Sequence, residues 1–185
     1  MRNILRNRKA LSTVVTTLII LVVSVLLAGV VSYFAINVTS TRVQEESLVL
    51  AKQHVWVAMD GTAQGAIMIT NTGGRDVVID KITVRGQESD WATQVYYAIA
   101  DAGDDLSVDL TYEETLDETA TFGGIAATAT AASGDLVIPS GETMVIYVDS
   151  PDSITINDIG LTVAFTLFTS QAMYYKETNV QAYAA

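Results

Sequence analysis

The sequence predicts an α+β protein in which one long N-terminal hydrophobic helix is followed by a C-terminal antiparallel β-sandwich. Two observations predict this architecture. No charged residue occurs from Ala10 to Thr41, and roughly 20 apolar residues suffice for a helix that crosses a bilayer. After about residue 54, short runs of Val, Ile, Thr and Tyr alternate with Gly, Asn and Asp, which is the pattern of strands and turns. We therefore divide the chain into residues 1–10, 11–53 and 54–185.

Charge is distributed unevenly along the chain. The sequence has 10 Lys and Arg against 21 Asp and Glu, a formal net charge of −11, and a mean hydropathy of +0.34. Four of the ten basic residues precede Ala10, so residues 11–185 hold six against 21 acidic residues, a net of −15. This acidic body lacks the Lys and Arg that bind phosphates, which excludes nucleic acid as a partner. Without Cys and with a single His, the chain has no disulfide framework, thiolate site or His cluster.

The apolar segment is longer than the core of a secretory signal, which has 7–15 apolar residues. The basic head before it should stay cytoplasmic and place the body outside. No Pro or Gly interrupts residues 30–60, so we expect one helix over about residues 11–53. At 1.5 Å per residue this helix would be about 64 Å long, roughly twice the ~30 Å hydrocarbon core.

Small residues recur every four positions on one face of this helix, at Ser24, Ala28 and Ser32. Such residues let neighbouring helix backbones approach closely. Because small residues are common in membrane helices generally, this stripe is read either as a helix-packing face or as ordinary membrane composition.

The junction between the basic head and the helix, RKALSTVV at residues 8–15, resembles archaeal type IV pilin-like proteins, the superfamily that includes archaellins. Their class III signal peptide joins a basic pair and a small residue to a hydrophobic helix. The resemblance implies cleavage between Ala10 and Leu11, with Lys9 and Ala10 recognised by the prepilin peptidase. The 1–10 segment would be removed and Leu11 would become the mature N-terminus.

The resemblance continues weakly into the body, where residues 66–86 and 138–147 look like strands of these filament proteins. Two positions depart from the usual pattern. Thr13 stands where many of these pilins have Pro, and the fifth residue from the implied cut is Val15 rather than the Glu of bacterial pilins. The start also lacks the Gly-rich beginning of many archaellins, which favours an adhesion filament over a motility filament.

The body predicts an immunoglobulin-like sandwich of about nine strands. In the run 160–168, Leu161, Val163, Phe165 and Leu167 share one face, as expected of a strand with one face on a core. The other strands are expected near residues 54–59, 65–70, 76–84, 92–99, 105–112, 142–149, 153–158 and 172–183. The low-complexity segment 119–134 is read as a flexible surface loop, or alternatively as an Ala/Thr strand pair buried against a neighbouring subunit.

No catalytic motif is present in the sequence, so we expect no enzyme activity and no cofactor. His54 is expected to be a packing or surface residue at the helix–body junction. Three acidic clusters, at residues 101–105, 113–118 and 149–152, are read as a solvated surface, with calcium binding as the alternative and no metal assigned. Asn37 begins an N-glycosylation sequon that is either modified or a chance match. The tyrosines at 96–97, 174–175 and 183 are read as subunit contacts or as strand packing.

The resemblance and the long helix together predict a structural subunit of an extracellular archaeal pilus-like filament, used in adhesion. The precursor would sit in the membrane with the assembly machinery, and the mature subunit would bundle its helix with identical subunits in a helical filament at the cell surface. Alternatives within this class are an archaellin and a minor pilin. The alternative of another class is a single-pass membrane protein with an external binding module. A membrane-tethered enzyme is disfavoured because no catalytic constellation is visible.

Overall fold

The computed structural model describes residues 8–43 and 45–184, which fall into two compact units divided between positions 43 and 44. The first unit contains a single helix, α1, Arg8–Val43. The second is a β-domain with ten strands and one short helix. They are β1 (Leu48–Ala58), β2 (Ala63–Asn71), β3 (Val77–Val84), β4 (Gln87–Glu88), α2 (Trp91–Gln94), β5 (Val95–Ile99), β6 (Thr130–Ala131), β7 (Leu136–Ile138), β8 (Thr143–Asp149), β9 (Thr162–Thr169) and β10 (Met173–Tyr183).

Helix α1 ends at Val43, ten residues before the end that the sequence predicts. The segment predicted as its last turns instead forms the first half of β1. Leu48 pairs with Asn71 and Leu50 with Ile69 of β2, and the Leu48 side chain is buried. Hydrogen bonding and burial against a distant strand therefore outweigh the local helical pattern, as tertiary context commonly does.

The strands form one hydrogen-bonded, curled sheet of mixed direction. Its order is β4-β3-β9-β10-β1-β2-β8-β5-β6, with β7 paired to β3 outside this path. The first and last strands are neighbours and run parallel, with Val55 opposite Val180, whereas the other pairs are antiparallel. The predicted immunoglobulin-like sandwich is not confirmed. The prediction that all strands are antiparallel is wrong for the pair formed by β1 and β10.

The main core lies on one face of the sheet and confirms the alternation predicted for β9. Val163, Phe165 and Leu167 are buried, whereas Leu161 precedes the strand and is 48% exposed. Phe165 fits because β2 has a glycine opposite it: a Cβ on Gly65 would lie 2.7 Å from the Phe165 ring. The sequence predicted the core face of this strand but not the glycine that receives its largest side chain.

Two of the predicted strands are wrong. Residues 105–112 are irregular, and residues 153–158 form a turn and a 3₁₀ helix, Ile156–Asp158. Residues 91–94 are helical rather than extended, because the Asp90 side chain caps the α2 N-terminus by accepting a hydrogen bond from the Ala92 amide. The short strands β4, β6 and β7 were not predicted, because two or three residues carry no periodicity.

The long connection between β5 and β7, residues 100–135, covers the other face of the sheet with a second hydrophobic cluster. Phe122 and Tyr147 are fully buried, with ring centroids 4.2 Å apart. Ile125 and Ala129, in the low-complexity segment, are buried in the same cluster. Apart from β6 and one isolated bridge, that segment is irregular. The loop interpretation is therefore closer than the strand pair, but the loop has its own core.

Polar side chains fasten this connection to the sheet. The buried amide of Gln64 donates to the Glu113 carbonyl (3.0 Å) and accepts from the Glu113 amide (2.8 Å). Tyr147 donates its hydroxyl proton to the Thr111 carbonyl (2.8 Å). Because the Gln64 and Tyr147 side chains are themselves buried, these bonds satisfy polar groups that would otherwise be unpaired away from water.

A close backbone approach inside the connection gives a stability prediction. An added Cβ on Gly124 would lie 2.0 Å from the Asp105 carbonyl oxygen, whereas an added Cβ on Gly134 would meet nothing within 4 Å. We expect Gly124→Ala to lower the free energy of unfolding by about 2–3 kcal/mol, a typical overpacking cost. Gly134→Ala, the matched control, should change it by less than about 1 kcal/mol. Urea unfolding of the full chain in detergent measures both, and equal effects would contradict the described approach.

A second prediction concerns Asp158, a largely buried carboxylate in the 3₁₀ helix that precedes β9. It accepts hydrogen bonds from the Thr155 amide and hydroxyl (both 2.8 Å) and from the Arg85 guanidinium (2.7 Å). These contacts, those of Thr155 above all, lower the pKa of Asp158 from its ordinary value. A carboxylate whose pKa is lowered in the folded state stabilises the fold at pH values above its pKa in the unfolded chain. This contribution is lost as the pH falls through the folded-state pKa.

We therefore expect Asp158→Asn to lower the urea midpoint at pH 7, with the difference from the natural chain shrinking below about pH 3.8. Asp135→Asn, at an exposed carboxylate, is the control and should change little. A constant difference between Asp158→Asn and the natural chain from pH 7 to pH 3 would contradict the assignment.

Candidate functional site

The exposed surface of α1 is the most unusual feature of the described chain. Within Ser12–Thr41, the most apolar window of 18 residues has a mean hydropathy of 2.9, and none of that window is buried. Seventeen large apolar side chains between Val14 and Val38 are each 46–71% exposed, and they lie on every face. A helix that is apolar all round needs burial in a lipid bilayer or in a protein core. This helix is long and apolar enough to span a membrane or to serve as a signal sequence.

The small-residue stripe lies within this apolar surface. Ser24, Ala28 and Ser32 are exposed, and their four-residue spacing places them along one side of α1. The Ser24 hydroxyl donates to the Ile20 carbonyl at 2.7 Å. Because that hydroxyl is already hydrogen-bonded within its own helix, its burial in an apolar contact between helices costs little desolvation free energy. Gly29, next to Ala28, has no side chain and so extends the area of α1 that a neighbouring helix backbone can approach closely. A Cβ added at Gly29 would meet nothing within 4 Å.

The predicted processing residues lie at the start of the helix. Lys9, Ala10 and Leu11 have helical backbones near the N-terminal end of α1. The rest of the basic head, residues 1–7, lies outside the described residues. Cleavage between Ala10 and Leu11 stays a prediction.

Asn37 lies in the last two turns of α1 with its side chain exposed. Its carbonyl accepts a hydrogen bond from the Thr41 hydroxyl at 2.9 Å. The whole sequon is helical, and its modification stays a prediction.

The single histidine lies inside β1 and not at a helix–body junction. The His54 ring stacks on Trp56, with centroids 5.1 Å apart and planes 10° from parallel. Its Nε2 donates to the Asp109 carboxylate at 3.1 Å. This hydrogen bond is the main cause of a lowered pKa at Asp109. His54 is thus a half-buried packing residue with a polar tip, as the sequence predicted, in a different place.

His54 belongs to an aromatic row that no sequence pattern indicated. The indole of Trp56 meets Tyr112 edge-on at 6.3 Å, and Tyr112 stacks on Tyr183 at 4.1 Å. The two-residue spacing of His54 and Trp56 on one strand is compatible with a shared face. Tyr112 and Tyr183 reach that face from an irregular segment and from the last strand, which no local pattern reveals.

The acidic clusters fasten their own turns. Asp104 accepts from the Asp101 amide (2.8 Å), and Asp105 accepts from the Ser107 hydroxyl (2.6 Å). Asp149 similarly accepts from the Ser150 hydroxyl at 3.1 Å. Over residues 8–43 and 45–184, no three His, Asp or Glu side chains are grouped as metal ligands would be. These three carboxylates each accept a hydrogen bond from a nearby residue of the chain, and calcium binding stays untested.

The predicted tyrosine patches divide between the two interpretations. Tyr175 is 55% exposed on β10 and is available to a partner. Tyr174 and Tyr97 are partly buried and pack against the main core, whereas Tyr96 packs against the second cluster. Strand packing therefore accounts for most of these rings, and a subunit contact stays a prediction for the exposed one.

Comparison with known proteins identifies no relative by sequence: no family model matches, and no curated protein matches. Among solved structures, a β-glucosidase from Listeria innocua is similar over 76% of this chain, with 10% identity and a TM-score of 0.29. The same enzyme in complex with glucose gives 10% identity and a TM-score of 0.27. This chain covers 16% of the length of that enzyme. Such remote similarity assigns neither a family nor an activity.

Proposed function

We propose that the protein is the structural subunit of an extracellular archaeal type IV pilus-like filament, used for adhesion. The basic head is removed at Ala10, the helix waits in the membrane, and α1 then bundles with copies of itself in the filament core. The β-domain remains outside this core and forms the filament surface.

The observation that carries the proposal is the exposed apolar surface that surrounds α1 between Val14 and Val38. Such a helix leaves lipid only where another apolar environment replaces it, and side-by-side packing with identical helices supplies that environment. The 30 residues of the apolar stretch span about 45 Å at 1.5 Å per residue. This exceeds the ~30 Å hydrocarbon core and provides surface beyond what one membrane crossing uses.

The signal-like junction at residues 8–15 supports this proposal over a permanent membrane anchor, because a cut at Ala10 retains the hydrophobic helix in the mature chain. A single-pass protein with an external binding module uses the same helix as a fixed anchor and keeps its basic head. An archaellin and a minor pilin share the proposed helix packing and differ in motility and abundance.

The test is electron microscopy of filaments sheared from the cell surface, combined with N-terminal sequencing of their protein. The proposal expects filaments in which this chain is abundant and begins at Leu11. Abundant chain that begins at Met1 and stays in the membrane fraction would support the anchored module instead. Trace amounts in filaments made of another protein would indicate a minor pilin.

A further inference from the structure

A cavity of about 360 Å³ opens on the β-domain beside the aromatic row. We call it the tyrosine cavity, and its walls are Ala58, Met59, Asp60, Tyr112, Glu114 and Tyr183. A neighbouring cavity of about 430 Å³ shares both tyrosines and continues towards His54 and Trp56.

The aromatic walls are held in place by the fold. Tyr183 is positioned by the β10–β1 pairing, in which it lies opposite Ala58. Tyr112 is positioned because its neighbours on both sides are tied to the sheet: the Thr111 carbonyl accepts from Tyr147, and the Glu113 backbone is held by Gln64. The rings thus form a preorganised surface, which lowers the entropic cost of binding a ligand.

The charged side chains that line the tyrosine cavity are both acidic. Burial raises the pKa of Tyr112, and the carboxylates of Asp60, Asp149 and Glu114 raise it further. Hydrogen bonds from Thr62 lower the pKa of Asp60, so this carboxylate is ionised at neutral pH. No Lys or Arg of the described residues lines the cavity.

The cations of the described β-domain are engaged elsewhere or lie away from these walls. Lys52, in a positive-φ bulge of β1, donates its ammonium protons to the carbonyls of Leu106 and Val108. The ion pairs in the described residues join His54 to Asp109, Lys81 to Glu88 and Arg85 to Asp158. Neither Asp60 nor Glu114 takes part in one of them.

We propose that the tyrosine cavity binds a small organic ammonium ion from the surrounding medium. Tyrosine faces attract cations through the ring quadrupole, and methylated ammonium groups are the usual ligands of such aromatic sites. Asp60 and Glu114, which line the cavity, supply the opposite charge, and a neutral ligand of the same shape lacks this charge attraction. A sugar would contact the same rings and donate hydrogen bonds to the same carboxylates, but it would gain no charge attraction, which is why the proposal is for a cation.

The test titrates the full chain with choline, using a polyoxyethylene detergent that contains neither choline nor sugar. The neutral comparison ligand is 3,3-dimethyl-1-butanol, which has the shape of choline without its charge, and cellobiose represents glycans. We expect saturable choline binding, seen by calorimetry and by choline methyl shifts in NMR. The dissociation constant of the neutral isostere should be at least tenfold higher, and cellobiose should not bind.

Variants separate the cavity from the general acidity of the protein. Tyr112→Leu should weaken choline binding at least tenfold, Tyr112→Phe should retain it, and Glu114→Gln should weaken it about threefold. The matched control is Glu142→Gln. Glu142 is an exposed carboxylate directly before β8 and does not line the cavity, so this variant should have no effect. Near-ultraviolet circular dichroism confirms that each variant is folded, and the exposed Glu114 site keeps the test valid if Tyr112→Leu does not fold.

Equal affinity for choline and its neutral isostere would overturn the proposal, because the carboxylates would then contribute nothing. Binding of cellobiose without choline would replace it with a glycan site. An unchanged choline affinity in Tyr112→Leu and Glu114→Gln would place any binding outside the cavity. None of these outcomes bears on filament assembly, which rests on α1.

Discussion

Replacing Ala28 with Phe is expected to leave the protein inserted in the membrane but to reduce the yield of sheared filaments at least tenfold. The reason is the central position of Ala28 in the small-residue stripe, where an aromatic ring would hold neighbouring helices apart. Overpacking costs about 1–3 kcal/mol per contact, and every subunit of a helical polymer repeats that contact. A loss of about 1.4 kcal/mol already corresponds to a tenfold change in an equilibrium constant.

The matched control for this experiment is Val30→Phe. Val30 lies two residues further along α1, about 200° around the helix axis from Ala28, and is similarly exposed. Both variants keep the helix apolar, so membrane fractionation should find equal amounts of the two proteins. A filament yield that falls equally in both variants would show that the stripe is no preferred contact. Normal yield from Ala28→Phe would remove the stripe from the assembly surface.

Replacing Ala10 with Leu is expected to abolish processing, so that the whole precursor keeps residues 1–10 and no filaments form. The resemblance implies that the peptidase recognises a small residue directly before the cut, and a Leu side chain there would be excluded. The retained head would also keep Arg and Lys charges at the end of a helix that must enter an apolar bundle. Burying unpaired charges in such surroundings is strongly unfavourable.

Intact-mass measurement of the membrane-extracted protein distinguishes the two forms, because cleavage removes ten residues. Lys9→Leu should have the same effect as Ala10→Leu. Arg2→Leu removes an equal charge farther from the proposed cut and should be processed normally. A mature N-terminus at Leu11 in Ala10→Leu would contradict the proposed recognition, whereas a normal cut without filaments would point to a later step.

Local patterns predicted the elements whose environment is set by one neighbouring layer. The uncharged stretch predicted α1, alternation predicted β3 and β9, and runs of strand-forming residues predicted β8 and β10, each strand to within a few residues. These patterns are visible because a residue's polarity reports directly which side of its own element is buried. The same reasoning failed at residues 44–53, where Val43, Leu48 and Val49 fit a helical spacing by chance.

The candidate sites show the same division. The stripe on α1 follows from the helix period alone, so the spacing of Ser24, Ala28 and Ser32 is enough to place them on one face. The tyrosine cavity needed the fold, because Ala58, Tyr112 and Tyr183 come from the first strand, a long irregular segment and the last strand. No local period connects residues that lie so far apart along the chain.

The sequence by itself determined that this protein has a basic head, one long apolar helix and an acidic β-rich body. Only the tertiary structure decided that the helix stops at Val43, that β1 lies parallel to β10, and that residues 100–135 form a second core. The physical reason is the range of the interactions involved. Helix formation depends on neighbours three or four residues away, whereas the pairing of Val55 with Val180 and the stacking of Phe122 on Tyr147 exist only once the sheet has closed around them.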